Sequence, residues 1–233
     1  MKTNYILALI TILTFYSCGK SEKEIRIEKE KIEIEKKKNE LEKIHEQKVN
    51  VGKRKRITEL TIQLQILAEK IKKAEENIKK INLFQIGRFE STKNKQLKKA
   101  YEKLREIHEY RERLKNEIPQ LEYLKTFEFQ KDPESIMKYI FESAKKGDFS
   151  NFRNLCDPYG ENDGDVSSIC NAEILPKRLR NKLQDTFKNG RIIGKTIIKE
   201  DSVEIEFAYG LNSNKLEKME MVKRNNLWYL YGF

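Results

Sequence analysis

Cysteine is the residue type in this chain whose spacing points most directly to chemistry. The first cysteine, Cys18, follows an apolar run of eleven residues from Tyr5 to Phe15 and stands directly after the small residue Ser17. The run is well short of the roughly 20 residues that a membrane-spanning helix needs. It has the length of the hydrophobic part of a secretory signal peptide, and the basic Lys2 precedes it. We therefore predict that the chain is exported.

The segment Phe15-Tyr16-Ser17-Cys18-Gly19 resembles the lipobox of a bacterial lipoprotein, in a form in which Phe15 and Tyr16 replace the commoner Leu and small residue. The resemblance implies that residues 1–17 are a signal peptide and that Cys18 carries the lipid. A diacylglyceryl cysteine brings two acyl chains, which stable anchoring requires because each methylene contributes only about 0.8 kcal/mol. An ordinary cleaved signal and an uncleaved short anchor are the alternatives.

The two remaining cysteines, Cys156 and Cys170, form an even pair in a chain predicted to be exported. Oxidising compartments favour disulfides, so we predict a bond between them. In the chain-entropy model a loop of this size contributes about 3 kcal/mol. The alternative is that both are small buried apolar side chains.

The composition predicts a long solvated helical part and one small domain. Charged residues make up 36% of the chain, hydrophobic residues 38%, and the mean hydropathy is -0.77. The net charge of +11 belongs to residues 1–131, since residues 132–233 balance to zero. Such a charge would suggest nucleic acid in a cytosolic protein, but export argues against it. We expect a solvated lysine-rich helix face, with anionic lipid head groups or other envelope polyanions as the alternative.

Residues 18–131 carry helical patterns. Residues 18–52 are predicted to form a tether and a Glu- and Lys-rich spacer helix with a weak apolar face. Gly52 is either a break in this helix or part of a continuous helix. From residue 53 onward, apolar residues alternate at spacings of three and four, as in the a/d seam of a coiled coil. This first seam consists of Ile57, Leu60, Leu64, Leu67, Ile71, Ala74, Ile78 and Ile81.

A second seam follows a predicted turn at residues 84–92. It consists of Leu97, Ala100, Leu104, Ile107, Leu114, Ile118 and Leu121, with Arg111 as an interruption. Two seams of similar length predict an antiparallel coiled-coil hairpin over residues 53–131, each arm about 40 Å long. A parallel homo-oligomer, or a protein partner on the seam, is the alternative.

Residues 132–233 predict a small α+β domain. Asp132, Pro133 and Gly147 bracket a first helix as N-cap, first helical residue and C-terminal stop. Asp148 is expected to cap a short second helix through Phe149, Phe152 and Leu155, and a third helix is expected at residues 177–188. An apolar period of two then predicts four antiparallel strands, at residues 191–199, 202–209, 215–223 and 227–233. The acidic stretch at residues 157–165 reads as turns, with a calcium site as the alternative.

The opening helix ending in Lys-Gly-Asp-Phe and the last hairpin from Met221 to Leu230 resemble the NTF2-like superfamily, and in particular the DUF4878-type domains of bacterial lipoproteins. The resemblance implies three helices packed on a four-stranded antiparallel sheet that curves into a cone. We expect Tyr209, Trp228 and Tyr229 to line that cone as packing residues. Residues 132–233 contain no histidine, so no catalytic residue is carried over.

The sequence predicts neither a cofactor nor a metal, since His45 and His108 are single and lie in separate helical segments. The function we expect is that of a non-enzymatic envelope lipoprotein, in which a coiled-coil stalk displays the terminal domain for contact. Gly19 after the cysteine favours the outer membrane by analogy with lipoprotein sorting. Small-molecule or peptide binding in the cone is the main alternative, and an enzyme is the third.

Overall fold

A computed structural model describes residues 22–83, 90–210 and 215–233. The chain is mixed α+β, as predicted. The described helices are α1 (Glu22–Leu83), α2 (Glu90–Gln120), α3 (Pro133–Lys146), α4 (Gly164–Cys170) and α5 (Lys177–Phe187). The strands are β1 (Arg191–Ile198), β2 (Ser202–Ala208), β3 (Glu217–Arg224) and β4 (Leu227–Gly232). The chain divides into two compact units, Met1–Glu46 and Gln47–Phe233.

Helix α1 is one uninterrupted helix of 62 residues, about 93 Å long at a rise of 1.5 Å per residue. It continues through Gly52, so the break considered at that residue is absent. Over residues 22–44 every residue is exposed, which agrees with the weak apolar face of that segment. Ion pairs at i,i+4 spacing, such as Arg26–Glu30 and Glu33–Lys37, support it, each by a few tenths of a kcal/mol. No helix within the described residues is both long and apolar enough to cross a bilayer.

Helices α1 and α2 pair in an antiparallel hairpin within one chain. A buried cluster joins Leu60 and Leu67 of α1 to Leu114 of α2 and to Leu121 just beyond it. Polar contacts set the same register, because Oη of Tyr110 donates to the side chain of Gln63 at 3.3 Å and Nζ of Lys93 donates to the carbonyl of Asn82 at 2.9 Å. The seams therefore face each other as in the predicted hairpin.

Capping residues define helix α3. The side chain of Asp132 accepts a hydrogen bond from the backbone N–H of Ser135 at 3.0 Å, Pro133 is the first helical residue, and Gly147 ends the helix with a φ of 71°. These are the roles that the sequence predicted, since a left-handed residue after a helix is most often glycine.

The four strands form one antiparallel sheet in the order β1-β2-β3-β4. Asn225 and Asn226, both at positive φ, make the turn between β3 and β4, as a two-residue hairpin loop requires. Helices α3, α4 and α5 pack on one face of the sheet. Their core includes Ile140, Phe152, Val166, Phe187, Ile205, Phe207, Met219, Trp228 and Leu230.

Candidate functional site

The disulfide prediction is confirmed. Cys156 and Cys170 are bonded, with their Cα atoms 5.9 Å apart, and both are buried. The loop that they close contains α4, a helix that the sequence did not reveal. Asp163 caps this helix by accepting the backbone N–H of Val166 at 2.7 Å, so one acidic residue of the loop serves local structure.

The carboxylate of Asp157 also serves structure. It is buried and accepts hydrogen bonds from Nε of Arg224 at 3.1 Å and from the backbone N–H of Glu161 at 3.2 Å. Arg224 further pairs with Glu161 at 2.7 Å. These bonds fold the residues after Cys156 against the β3–β4 turn. Within the described ranges, no group of three or more His, Cys, Asp and Glu side chains is arranged to hold a metal ion.

The same loop packs against Gly52 of α1. A Cβ atom added to Gly52 would lie 2.6 Å from the carbonyl carbon of Tyr159 and 2.9 Å from its Cα, closer than any side chain tolerates. The Tyr159 ring lies beneath two cations, with Nζ of Lys48 5.2 Å and Cζ of Arg224 4.4 Å from its centroid. Lys55 donates to the carbonyl of Gly160. Glycine at position 52 thus forms a notch in the helix that receives this loop.

We call residues 132–233 the sheet domain. An ionic network lies at a second contact between this domain and the hairpin. Glu117 of α2 is buried, with only 3% of its surface exposed, and its carboxylate lies 3.1 Å from Nη1 of Arg153. Arg153 also pairs with Glu173. Burial raises the pKa of Glu117, and the nearby positive charges of Arg153 and Arg56 oppose that rise.

Arg56 of α1 completes the network by donating to the side-chain oxygen of Asn171. Desolvation lowers the pKa of Arg56, while the charge of Glu117 raises it. The network therefore joins both helices of the hairpin to the residues that follow the disulfide.

Apolar packing also connects the hairpin to the sheet domain, and we call these three sets of contacts together the joint. Ile174 belongs to the sheet domain but is buried in the cluster formed by Leu60, Leu67 and Leu114 of the hairpin. Nε of Arg113 donates to the carbonyl of Ile174 at 3.1 Å. The hairpin and the sheet domain are thus held together by a glycine notch, an ionic network and a shared apolar cluster.

Every residue of the first seam is buried or half-buried. Leu60, Leu67, Ile71 and Ile78 are buried, while Ile57, Leu64 and Ile81 are half-buried. Ile62 and Ile66, which lie off the seam, are 50% and 47% exposed. The spacing of three and four thus identified the inner face of α1.

The residues predicted to line a cone lie on two faces of the sheet. Trp228 is part of the core cluster, and Tyr209 packs against it. Tyr229 stands between Trp228 and Leu230 in β4, so it points to the opposite face. There it is buried near Asp157 and Tyr159, and desolvation raises its pKa to about 12.

Aromatic rings occupy the helix-covered face. The ring of Phe207 lies 5.8 Å from Phe141, 6.2 Å from Phe187, 5.2 Å from Tyr209 and 6.0 Å from Phe233. Desolvation raises the pKa of Tyr209 well above its usual range. This face is therefore packed by side chains around Phe207.

Cys18, the predicted lipid attachment site, lies outside the described residues. The sequence did not predict the joint, because its contacts connect residues far apart in sequence, with a separation of 61 positions for Arg113 and Ile174 and of 115 for Arg56 and Asn171. Gly52, interpreted as a break or hinge, was the one signal of it.

No family model matches the chain, and neither a curated protein nor a solved structure is significantly similar to it.

Proposed function

We propose that this protein is a non-enzymatic lipoprotein of the bacterial cell envelope, anchored through Cys18, whose long first helix carries a compact head for contact with other envelope components. The observation that carries the proposal is the helix α1. It begins at Glu22, shortly after the predicted lipid site, and runs without a break into the hairpin. Its exposed residues 22–44 are suited to a solvated spacer.

The head in this proposal includes the hairpin. The notch at Gly52 and the network around Glu117 fix both helices to the sheet domain, so the hairpin moves with that domain. The hairpin is therefore part of the head, and only the first segment of α1 acts as the stalk.

We propose an NTF2-like fold for residues 132–233. Support comes from the order of elements, a capped opening helix followed by further helices and a four-stranded antiparallel meander with helices on one face. The aromatic rings packed around Phe207 favour contact at the outer surface over small-molecule or peptide binding inside the cone. The partners proposed are the membrane, through the lipid, and an envelope protein.

The anchor is tested by expressing Cys18→Ser in a bacterial host and separating soluble from membrane fractions. We expect the native chain to remain with the membrane, to incorporate a labelled fatty acid and to co-sediment with outer-membrane markers. The Cys18→Ser variant should move to the soluble fraction and lose the label. A variant with Cys156→Ala and Cys170→Ala is the control and should stay in the membrane fraction. A membrane-bound Cys18→Ser variant would contradict the anchor.

A further inference from the structure

The hairpin contains an apolar groove that its own seams do not fill. The groove has a volume of about 670 Å³ and is lined by Leu67 and Ala74 of α1, Ala100, Ile107 and Tyr110 of α2, and Pro176. Four of these residues are seam positions, which ordinarily pack against the opposite helix. Here they border an open space, so the seam is incomplete at this level.

Two alanines explain the opening. Ala74 and Ala100 lie equally far in sequence from Gly87, and both line the groove. Below them, Leu60 and Leu114 close the same interface and are buried. Because alanine is far shorter than leucine, the pair leaves a gap where other levels of the seam are filled.

The groove ends beside two arginines. The guanidinium of Arg113 lies 5.8 Å from the centroid of the Tyr110 ring, and Arg180 lies one helical turn after Pro176, whose carbonyl accepts its backbone N–H at 3.0 Å. Both arginines line an adjoining cavity of about 530 Å³ that also contains Glu117, Arg153 and Glu173. The groove thus has an apolar floor and a positively charged end.

The positive charge at that end is only partly balanced, because three arginines but two glutamates line the cavity. Arg153 engages the carboxylates of Glu117 and Glu173. Arg113 donates to the carbonyl of Ile174, and Arg180 donates to that of Glu173 at 3.4 Å. Neither Arg113 nor Arg180 forms an ion pair among the described residues. Desolvation and the positive charge of Arg180 lower the pKa of Arg113, and the negative charge of Glu109 opposes them.

We infer that this groove binds a fatty acid, with its acyl chain between the helices and its carboxylate on Arg113 and Arg180. Guanidinium groups match carboxylate and phosphate geometry. From Ala100 to Arg113 the helix rises about 20 Å, comparable to the roughly 15 Å that one leaflet of a bilayer gives its acyl chains. The volume lies within the range of about 300–1,000 Å³ typical of ligand sites.

The surroundings of the groove agree with an anionic ligand. Lys70, Lys73 and Lys103 stand on its rim, and Glu106 is the one acidic residue among its lining side chains. A basic rim around an apolar floor complements the charge of a fatty acid more closely than that of a neutral lipid.

The apolar part is tested by titrating the delipidated full chain, carrying Cys18→Ser, with a dansyl-labelled undecanoic acid. We expect a fluorescence rise that saturates at one probe per chain. Ala100→Phe should fill the groove and weaken binding at least tenfold, and Ala74→Leu should do the same. Ala68→Phe, on the exposed side of α1, is the control and should bind as the parent does. Unchanged binding by both groove variants would overturn the proposal.

The charged end is tested with Arg180→Gln and Arg113→Gln. Each should weaken binding of the dansyl acid about tenfold, since a charge-assisted hydrogen bond is lost, while binding of the neutral dye phenylnaphthylamine should not change. Arg178→Gln, which alters an exposed arginine of the same helix, is the control. Equal losses for the acid and the neutral dye would contradict a head-group role.

Competition distinguishes a fatty acid from other occupants of the groove. Palmitate should displace the probe, whereas displacement by lysophosphatidylglycerol at a concentration at which palmitate has no effect would overturn the proposal. Displacement by inorganic phosphate at the same concentration would overturn the acyl-chain part of the proposal. So would a dimer in analytical ultracentrifugation that Ala100→Phe dissociates, because a second copy of the chain would then fill the groove.

Discussion

Gly52 and Tyr159 meet backbone to backbone, so that a single added carbon on residue 52 would overlap the main chain of the loop. The contact joins a residue in the middle of the longest helix to a residue inside the disulfide loop. A glycine in the interior of a helix normally costs about 1 kcal/mol relative to alanine. Here the absence of a side chain is what allows the loop to dock.

We predict that Gly52→Ala destabilises the protein although it raises helix propensity. Overpacking of this kind typically costs about 1–3 kcal/mol, and here the clashing atoms belong to the backbone of Pro158 and Tyr159, which cannot rotate away. Urea denaturation followed by circular dichroism measures the change. Val51→Ala, at a residue that is 61% exposed, is the control and should stay within about 0.5 kcal/mol of the parent. A more stable Gly52→Ala variant would show that the loop does not rest on the helix.

We predict that Leu114→Ala lowers the stability of the hairpin and the sheet domain together. Leu114 is fully buried in the cluster that contains Ile174, and large-to-small changes at such sites cost about 2–5 kcal/mol. Fluorescence of Trp228, the only tryptophan, reports on the sheet domain, while far-UV circular dichroism reports mainly on the helices. Both transitions should move to lower urea by the same amount.

The matched control is Leu83→Ala, because Leu83 is 80% exposed and its truncation should change little. A shift of the helical transition with an unchanged Trp228 transition would mean that the two parts unfold separately.

We predict that removing the disulfide with Cys156→Ala and Cys170→Ala costs about 3 kcal/mol, the loop-closure value for the sequence separation of 14. Urea denaturation with and without a thiol reductant provides the measurement. Reductant should lower the midpoint of the native chain and leave that of the double variant unchanged. Insensitivity of the native chain to a reductant, together with two reactive thiols before reduction, would contradict the bond.

We predict that ionisation of Glu117 makes the free energy of unfolding depend on pH. Burial raises the pKa of Glu117, so its carboxyl group holds a proton more tightly in the folded state than in the unfolded chain. The contribution of Glu117 is therefore most favourable at low pH and is lost as pH rises from about 4.3 through the folded pKa. The ion pair with Arg153 reduces this loss without reversing it.

Glu117→Gln cannot ionise and should lack this dependence. The free energy of unfolding of the native chain should fall relative to that of Glu117→Gln as pH rises from about 4 to about 8. Glu102→Gln, at an exposed position of the same helix, should follow the native chain at each pH. A native chain that gains stability relative to Glu117→Gln over this range would show that the ion pair with Arg153 outweighs desolvation.

Much of the fold was predictable because its signals are local. The alternation of Val203, Ile205 and Phe207 placed strand β2, and Asp132, Pro133 and Gly147 placed the limits of α3. The seam of α1 identified its inner face because coiled-coil spacing needs no knowledge of the partner. In each case the pattern lies within one element or its immediate flanks.

The joint was not predictable for the opposite reason. Glu117 appears in the sequence as one more charged residue of a polar helix, whereas in the fold it is buried beside Arg153, which comes from another element of the chain. Helix α4 was hidden in a stretch of Asp, Asn and Gly whose composition favours turns. Gly52 drew notice, but propensity alone cannot distinguish a break from a close contact.

The antiparallel register of the hairpin restricts how its length can vary among related chains. Gln63 with Tyr110, Asn82 with Lys93, and Leu60 with Leu114 are all pairs that lie nearly the same distance on either side of Gly87. An insertion in one arm would therefore shift the register between the two arms unless the other arm gained the same number of residues. We expect evolutionary length changes to come in matched blocks of seven per arm, on the Gly87 side of the joint.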